Sequence, residues 1–158
     1  MSDDLWNFAM ACYGKPGAEA ACLELQTAGA DVCLMLAGAW LECRGVACDA
    51  ARLAQLIRVS DDWQTQLVAP LRNLRQALRE RAALDSDVAD LRERVKKLEL
   101  DAEHFQLQRL QHAARNWTAQ SRPSDWLDRL CADLSGETRA PMEVLRRAAT
   151  GQFMVGEG

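Results

Sequence analysis

Between positions 71 and 122 the chain contains neither glycine nor proline, and nothing else in it restricts the fold as strongly. A segment of that length, rich in Leu, Ala, Arg and Glu, has nothing to stop a helix except short polar residues that compete for backbone hydrogen bonds. The only such cluster is Leu84-Asp85-Ser86-Asp87, so a break is expected there and a long helix over 86–117. Without the break, one helix of about 85 Å would run from 61 to 117, with Arg81 and Asp85 forced into its apolar seam.

In the long helix Val88, Leu91, Val95, Leu98, Ala102 and Phe105 alternate spacings of three and four, predicting a heptad seam. Asp90 before Arg94 and Glu93 before Lys97 supply acid-then-base pairs one turn apart. Past Phe105 the same register would place Arg109 and His112 in the seam. Leu107, Leu110, Ala114 and Trp117 instead form a second stripe, rotated by roughly 110° at about 100° per residue. A change of packing partner is therefore expected near Phe105. A globule of 158 residues has a diameter near 40 Å, whereas this helix is about 48 Å long, so one end should project.

The preceding segment reads as a series of helices. Ser2 can cap a first helix to about Tyr13, with Asp3 and Asp4 in its first turn and Trp6, Met10 and Tyr13 on one face. Gly14-Lys15-Pro16-Gly17 breaks it, and Ala18, Ala21, Cys22 and Leu25 form a small-residue stripe on the next. Asp31 can cap a third helix whose run from Val32 to Leu41 is apolar on every side, as befits the middle of a core. Gly45 fits a left-handed C-terminal cap, and Asp49 can start a fourth helix with Leu53, Leu56 and Ile57 inward. Ser60 is expected to cap a fifth, with an inner stripe of Trp63, Leu67, Leu71, Leu74 and Leu78 and a kink or split at Pro70, which lacks the N–H that would bond to Gln66. After position 117 come a short helix carrying Leu127, Leu130, Cys131 and Leu134, and a last one opened by Pro141 with Met142, Leu145 and Ala149 inward.

No strand-period segment or repeat stands out, so the expected class is all-α: a compact helical body with a long projecting antiparallel helical hairpin. As one domain, 1–158, it divides into a body (1–60), the hairpin (61–117), short C-terminal helices (118–150) and a tail (151–158).

The first third, as Trp6-x-Phe8-Ala9, Tyr13-x-x-Pro16-Gly17, Ala21-Cys22-Leu23, Asp31-Val32-Cys33-Leu34 and Trp40-Leu41, resembles an uncharacterised family of proteobacterial hypothetical proteins, a domain of unknown function. The likeness continues more loosely through Pro70-Leu71-Arg72-x-Leu74-Arg75 and fades near Gln120. It implies no activity, cofactor or catalytic residue.

The residues themselves offer little chemistry. Gly14-Lys15-Pro16-Gly17 lacks the spacing and preceding strand of a phosphate loop. Asp101-x-x-His104 shares a helix face, but a di-metal bundle needs a second such pair, and the only other histidine is His112. No Ser sits in a nucleophile elbow and no Cys in a motif. Catalytic, metal and cofactor sites are therefore all expected to be absent. The six cysteines lack C-x-x-C spacing and sit among apolar residues, as buried reduced thiols would in a cytoplasmic protein; Cys43 and Cys48 are the one pair open to a reversible disulfide. The longest apolar run is about half a membrane span. Residues 1–50 carry two basic and seven acidic groups, and the remainder seventeen and sixteen, so no DNA partner is expected. Arg72, Arg75 and Arg79 nevertheless align as a basic strip, with Arg146-Arg147 a smaller cluster; the strip is a candidate for binding a partner or a phosphate.

The leading expectation is a non-enzymatic interaction protein whose hairpin binds another protein or a second copy. The alternatives are an RNA- or ribosome-associated factor using the arginine strip, and a small-molecule enzyme or sensor with a pocket in the N-terminal body.

Overall fold

The computed structural model describes residues 4–120 and 124–155, and side chains as far as Gly151. The described residues form an all-α chain of helices α1 (Leu5–Tyr13), α2 (Ala18–Thr27), α3 (Val32–Cys43), α4 (Ala50–Trp63), α5 (Ala69–Ala77), α6 (Arg79–Ala82), α7 (Ser86–Ala113), α8 (Trp126–Cys131) and α9 (Arg139–Val155). Ser2 lies outside these residues. Asp4 is the cap of α1, its carboxylate accepting from the Trp6 N–H at 2.9 Å.

Helix α3 is the axle of the body, because no side of it is polar. Every residue from Cys33 to Leu41 is buried, and α1, α4, α7, α8 and α9 pack around it. Asp31 caps its start, and its end closes as expected: Gly45 adopts φ 69°, and the N–H groups of Gly45 and Val46 donate to the carbonyls of Glu42 and Leu41. Helix α8 presses closely on α3 because Gly38 has no side chain; a Cβ there would lie 2.6 Å from Leu130 Cδ1. Helix α9 packs on α1, α2 and α3 and so completes the body rather than trailing from it. It also continues to Val155, so residues 151–155 are not the expected tail, while 156–158 lie outside the described residues.

Two helix faces differ from the sequence reading. In α1 the fully packed face is Leu5, Phe8, Ala9 and Cys12, leaving Trp6 and Tyr13 half-buried and Met10 exposed. In α4 Leu56 is buried but Ile57 is exposed.

Ser60 caps nothing. It is fully buried inside α4, which runs on into α5 through a five-residue π-helical turn, Gln64–Val68. The turn accommodates Pro70: wider winding just before the proline absorbs the missing backbone donor without breaking the rod. The inserted residue also rotates the face that follows, so Val68 turns fully inward while Leu67 and Leu74 turn out. The body and the hairpin thus share one nearly continuous helix.

The hairpin closes at the expected break, where Asp85 caps α7 by accepting from the N–H groups of Asp87 and Val88. Helix α7 then packs antiparallel on α5 and α6, and its later part on α1, α3 and α4. The switch falls near Ala102, whose carbonyl accepts from the Trp63 indole N–H at 2.7 Å. Leu107, Leu110 and Ala114 are buried in the body as the second stripe requires. The helix itself stops at Ala113, and Trp117 lies beyond it, stacked on Trp126 with ring centroids 5.8 Å apart.

Candidate interaction surface

The predicted arginine strip is divided by the hairpin. Arg72 and Arg75 turn inward onto Glu99, a carboxylate on α7 that is only 6 % exposed. The Arg72 Nε donates at 3.2 Å and the Arg75 Nε at 2.5 Å, and Arg72 Nη2 reaches Glu103 at 3.4 Å. Arg92 fixes the register by donating from Nε to the Arg75 carbonyl at 3.1 Å. Burial pushes the Glu103 carboxyl above its ordinary range, and the neighbouring Glu99 charge adds to that, with Arg72 opposing. Arg79 lies further out on α6, exposed. The three residues therefore do not form one surface: two hold the hairpin arms together and one faces solvent. Arg146 is similarly engaged, bridging Glu42, Asp128 and Glu143 to tie α9 to α3 and α8.

A second polar junction lies where the hairpin meets the body. Asp31 Oδ2 accepts from the Ser60 hydroxyl and from Gln106 Nε2, the latter at 2.8 Å, and Gln106 Nε2 also lies 2.8 Å from Ser60 Oγ. Burial raises the Asp31 carboxyl above its usual range, and the hydrogen bonds it accepts pull the other way. By local sequence Asp31 and Ser60 read as separate caps, and Gln106 carries no local signal.

These two junctions correct the heptad seam. With Val88, Val95 and Ala102 at heptad position a, the expected d column is Leu91, Leu98 and Phe105, and the adjacent e column is Arg92, Glu99 and Gln106. Position e is the one that turns inward. Glu99 and Gln106 are buried, whereas Leu91, Leu98 and Phe105 are 53 %, 53 % and 51 % exposed. The other arm repeats the pattern. Gln64, Leu71 and Leu78 are half-buried at a; Val68, Arg75 and Ala82 face in at e; Leu67 and Leu74, 39 % and 47 % exposed, stand at d, with the exposed Arg81 ending that column toward the tip.

Antiparallel helices that meet through a and e positions put both d columns on the same side of the pair. The ion pairs set the register, so that Leu74 lies across from Leu98 and Leu67 across from Phe105. One side of the hairpin is thus a ladder of half-exposed apolar side chains. At its tip is Leu84, 92 % exposed; at its base Arg109 stacks over the Trp63 ring at 3.7 Å.

Elsewhere the residues weighed for chemistry have structural surroundings. His104 stacks on Trp6 with centroids 3.9 Å apart, while Asp101 is exposed. No group of metal-ligating side chains occurs among the described residues. All six cysteines are free. Burial drives the Cys12 thiol up to about 12 and the Cys22, Cys43 and Cys48 thiols to about 11, which makes them poor nucleophiles. No helix among the described residues is long and apolar enough to cross a membrane. A cleft between α1 and the hairpin is lined by Trp6, Tyr13, Gln26, Arg72 and Glu103. Its cationic groups, Arg72 and Arg75, are already engaged by Glu99 and Glu103, and the Gln26 amide satisfies its bonding with its oxygen turned to Arg72.

Comparison with known proteins identifies the family. A family described as "Protein of unknown function (DUF2390)" matches residues 4–110, and the chain belongs to it. No curated protein and no solved structure matches. The matched segment takes in the body helices α1 to α4 and nearly all of the hairpin.

Proposed function

We propose that this member of the family is a non-enzymatic interaction protein, with the hairpin as its docking element. The observation that carries the reading is the ladder of Leu67, Leu74, Leu91, Leu98 and Phe105 along one side of the hairpin. Contiguous exposed apolar side chains rimmed by charge mark sites that are covered by a partner. Inward engagement of Arg72 and Arg75 favours this over RNA binding through the arginine strip, since a phosphate would have to displace Glu99. The reading takes the protein to be bacterial and cytoplasmic. The N-terminal resemblance supports the first, and six free cysteines support the second.

The test compares the wild-type protein with Leu98→Glu and with Arg79→Glu. Leu98→Glu is expected to abolish association, whether with itself by light scattering or with a cytoplasmic partner by affinity capture, at unchanged helicity. Arg79→Glu is expected to leave association intact. Association that survives Leu98→Glu would refute the reading.

A further inference from the structure

The a/d/e arrangement of both arms is that of half a four-helix bundle, in which each helix meets one neighbour through a and e and another through a and d. Among the described residues only the first contact is made. The open a/d side runs the length of α7, 28 residues or 42 Å at 1.5 Å per residue, and two helices give it a width of about 20 Å. That is about 800 Å² per copy, the area of a standard stable interface.

Resting on the docking role above, we propose that the occupant is a second copy of this chain, joined about a two-fold axis that crosses the hairpins at Leu74 and Leu98. The charges select this register. Arg94, which does not form the pair with Asp90 expected from its spacing, and Asp101, both exposed and flanking the ladder on its α7 edge, join no ion pair within the chain among the described residues. A two-fold through Leu98 runs α7 antiparallel to its copy, sets Leu91 against Phe105, and brings each Arg94 to the other copy's Asp101. A two-fold midway between Leu91 and Leu98 would instead bring Arg94 against Arg94 and Asp87 against Asp101.

The same operation carries the bare Leu84 tip to the level of His112 on the other copy. There a cleft lined by Gln55, Val59, Gln108, Arg109, His112 and Arg115 continues the ladder. Asp85 and Asp87 beside Leu84 then face Arg109 and Arg115, so acid meets base a second time. The two-fold places the bodies at opposite ends of the bundle.

The experiment is a charge swap read by sedimentation equilibrium of the full chain between 1 and about 100 μM, a range set by ordinary dimer affinities. The wild type is expected to dimerise. Arg94→Asp and Asp101→Arg alone are each expected to raise the dissociation constant at least tenfold, and the double swap to restore it. These residues are exposed, and circular dichroism checks that each variant is folded. A dimer indifferent to both single changes, or double-swap affinity no better than the singles, overturns the two-fold. So does a wild type that stays monomeric throughout. A monomer that captures a different protein in a Leu98-dependent manner overturns the second copy but leaves the docking role standing, whereas a monomer with no such capture overturns both.

Discussion

Replacing Glu99 by Ala isolates the bond between the hairpin arms. The wild-type carboxylate, 6 % exposed, accepts from Arg72 and Arg75. Removal leaves two guanidinium groups at the arm interface facing Glu103 alone. Breaking a buried pair in this way costs about 3–5 kcal/mol. The lower end applies, because the arginine side chains retain 19 % and 23 % exposure and recover part of their hydration. About 3 kcal/mol in a chain of this size lowers Tm by roughly 6–12 °C. Glu93→Ala, which removes an exposed partner of Lys96 at 3.9 Å, should change stability by less than about 0.5 kcal/mol. Urea unfolding followed by circular dichroism measures both. Arg75→Ala combined with Glu99→Ala should cost distinctly less than the sum of the single losses. A Glu99→Ala loss below about 1 kcal/mol, or simple additivity with Arg75→Ala, would refute the claim that this cluster joins the arms.

Three further outcomes are expected. Gly38→Ala should destabilise by about 1 kcal/mol in urea unfolding, because the Cβ placed 2.6 Å from Leu130 Cδ1 costs about 1–3 kcal/mol of overpacking against up to about 1 kcal/mol of helix propensity. The raised Asp31 carboxyl means that the folded state holds the proton more tightly than the unfolded one. Its contribution is fully present below the ordinary carboxyl range and is lost as pH rises through the folded value, so Asp31→Asn should flatten the decline of stability across that window in urea midpoints taken from pH 4 upward. Cys12, pushed from 9.0 to about 12 by burial, contributes stability that is complete below pH 9.0 and lost toward pH 12; alkaline unfolding should begin in that interval, and its thiol should react with a disulfide reagent at pH 8 only as fast as the protein opens.

How far the sequence could be read depended on whether its signals were local. Caps at Asp31 and Asp49, the break at 84–87 and the stop at Gly45 follow from neighbours within a few residues, and all four are present. The face of α7 depended on partners tens of residues away. Leu91, Leu98 and Phe105 made the better seam by apolarity, and only the pairing of Glu99 with Arg72 and Arg75 shows why the next column turned inward. A signal was available: an arginine strip on one arm of a proposed hairpin and Glu99 and Glu103 on the other are complementary once the arms are antiparallel. At Ser60 the local rule misled, because a serine before two acidic residues resembles a cap, whereas burial and the Asp31 bond make it part of a helix interior. The π-helical turn before Pro70 had no sequence sign beyond the proline itself.

The buried charge and the exposed leucines are one fact seen from two sides. Had the arms met through a and d, five large apolar side chains would be covered within the chain. Fully covering such a side chain is worth about 1.5–3 kcal/mol. Roughly half of that remains unrealised at each of Leu67, Leu74, Leu91, Leu98 and Phe105, or about 4–7 kcal/mol per copy. Buried ion pairs seldom return so much relative to apolar packing, so an isolated chain gains little from placing Glu99 inside. What Glu99 does is choose the column, because a carboxylate that must meet Arg72 and Arg75 cannot slide around to let Leu98 take its place. A two-fold pair would recover about 8–14 kcal/mol from both ladders, against an association cost of about 4–15 kcal/mol. Those terms are close enough that assembly would respond to single exposed charges such as Arg94 and Asp101, and to the concentration of the chain.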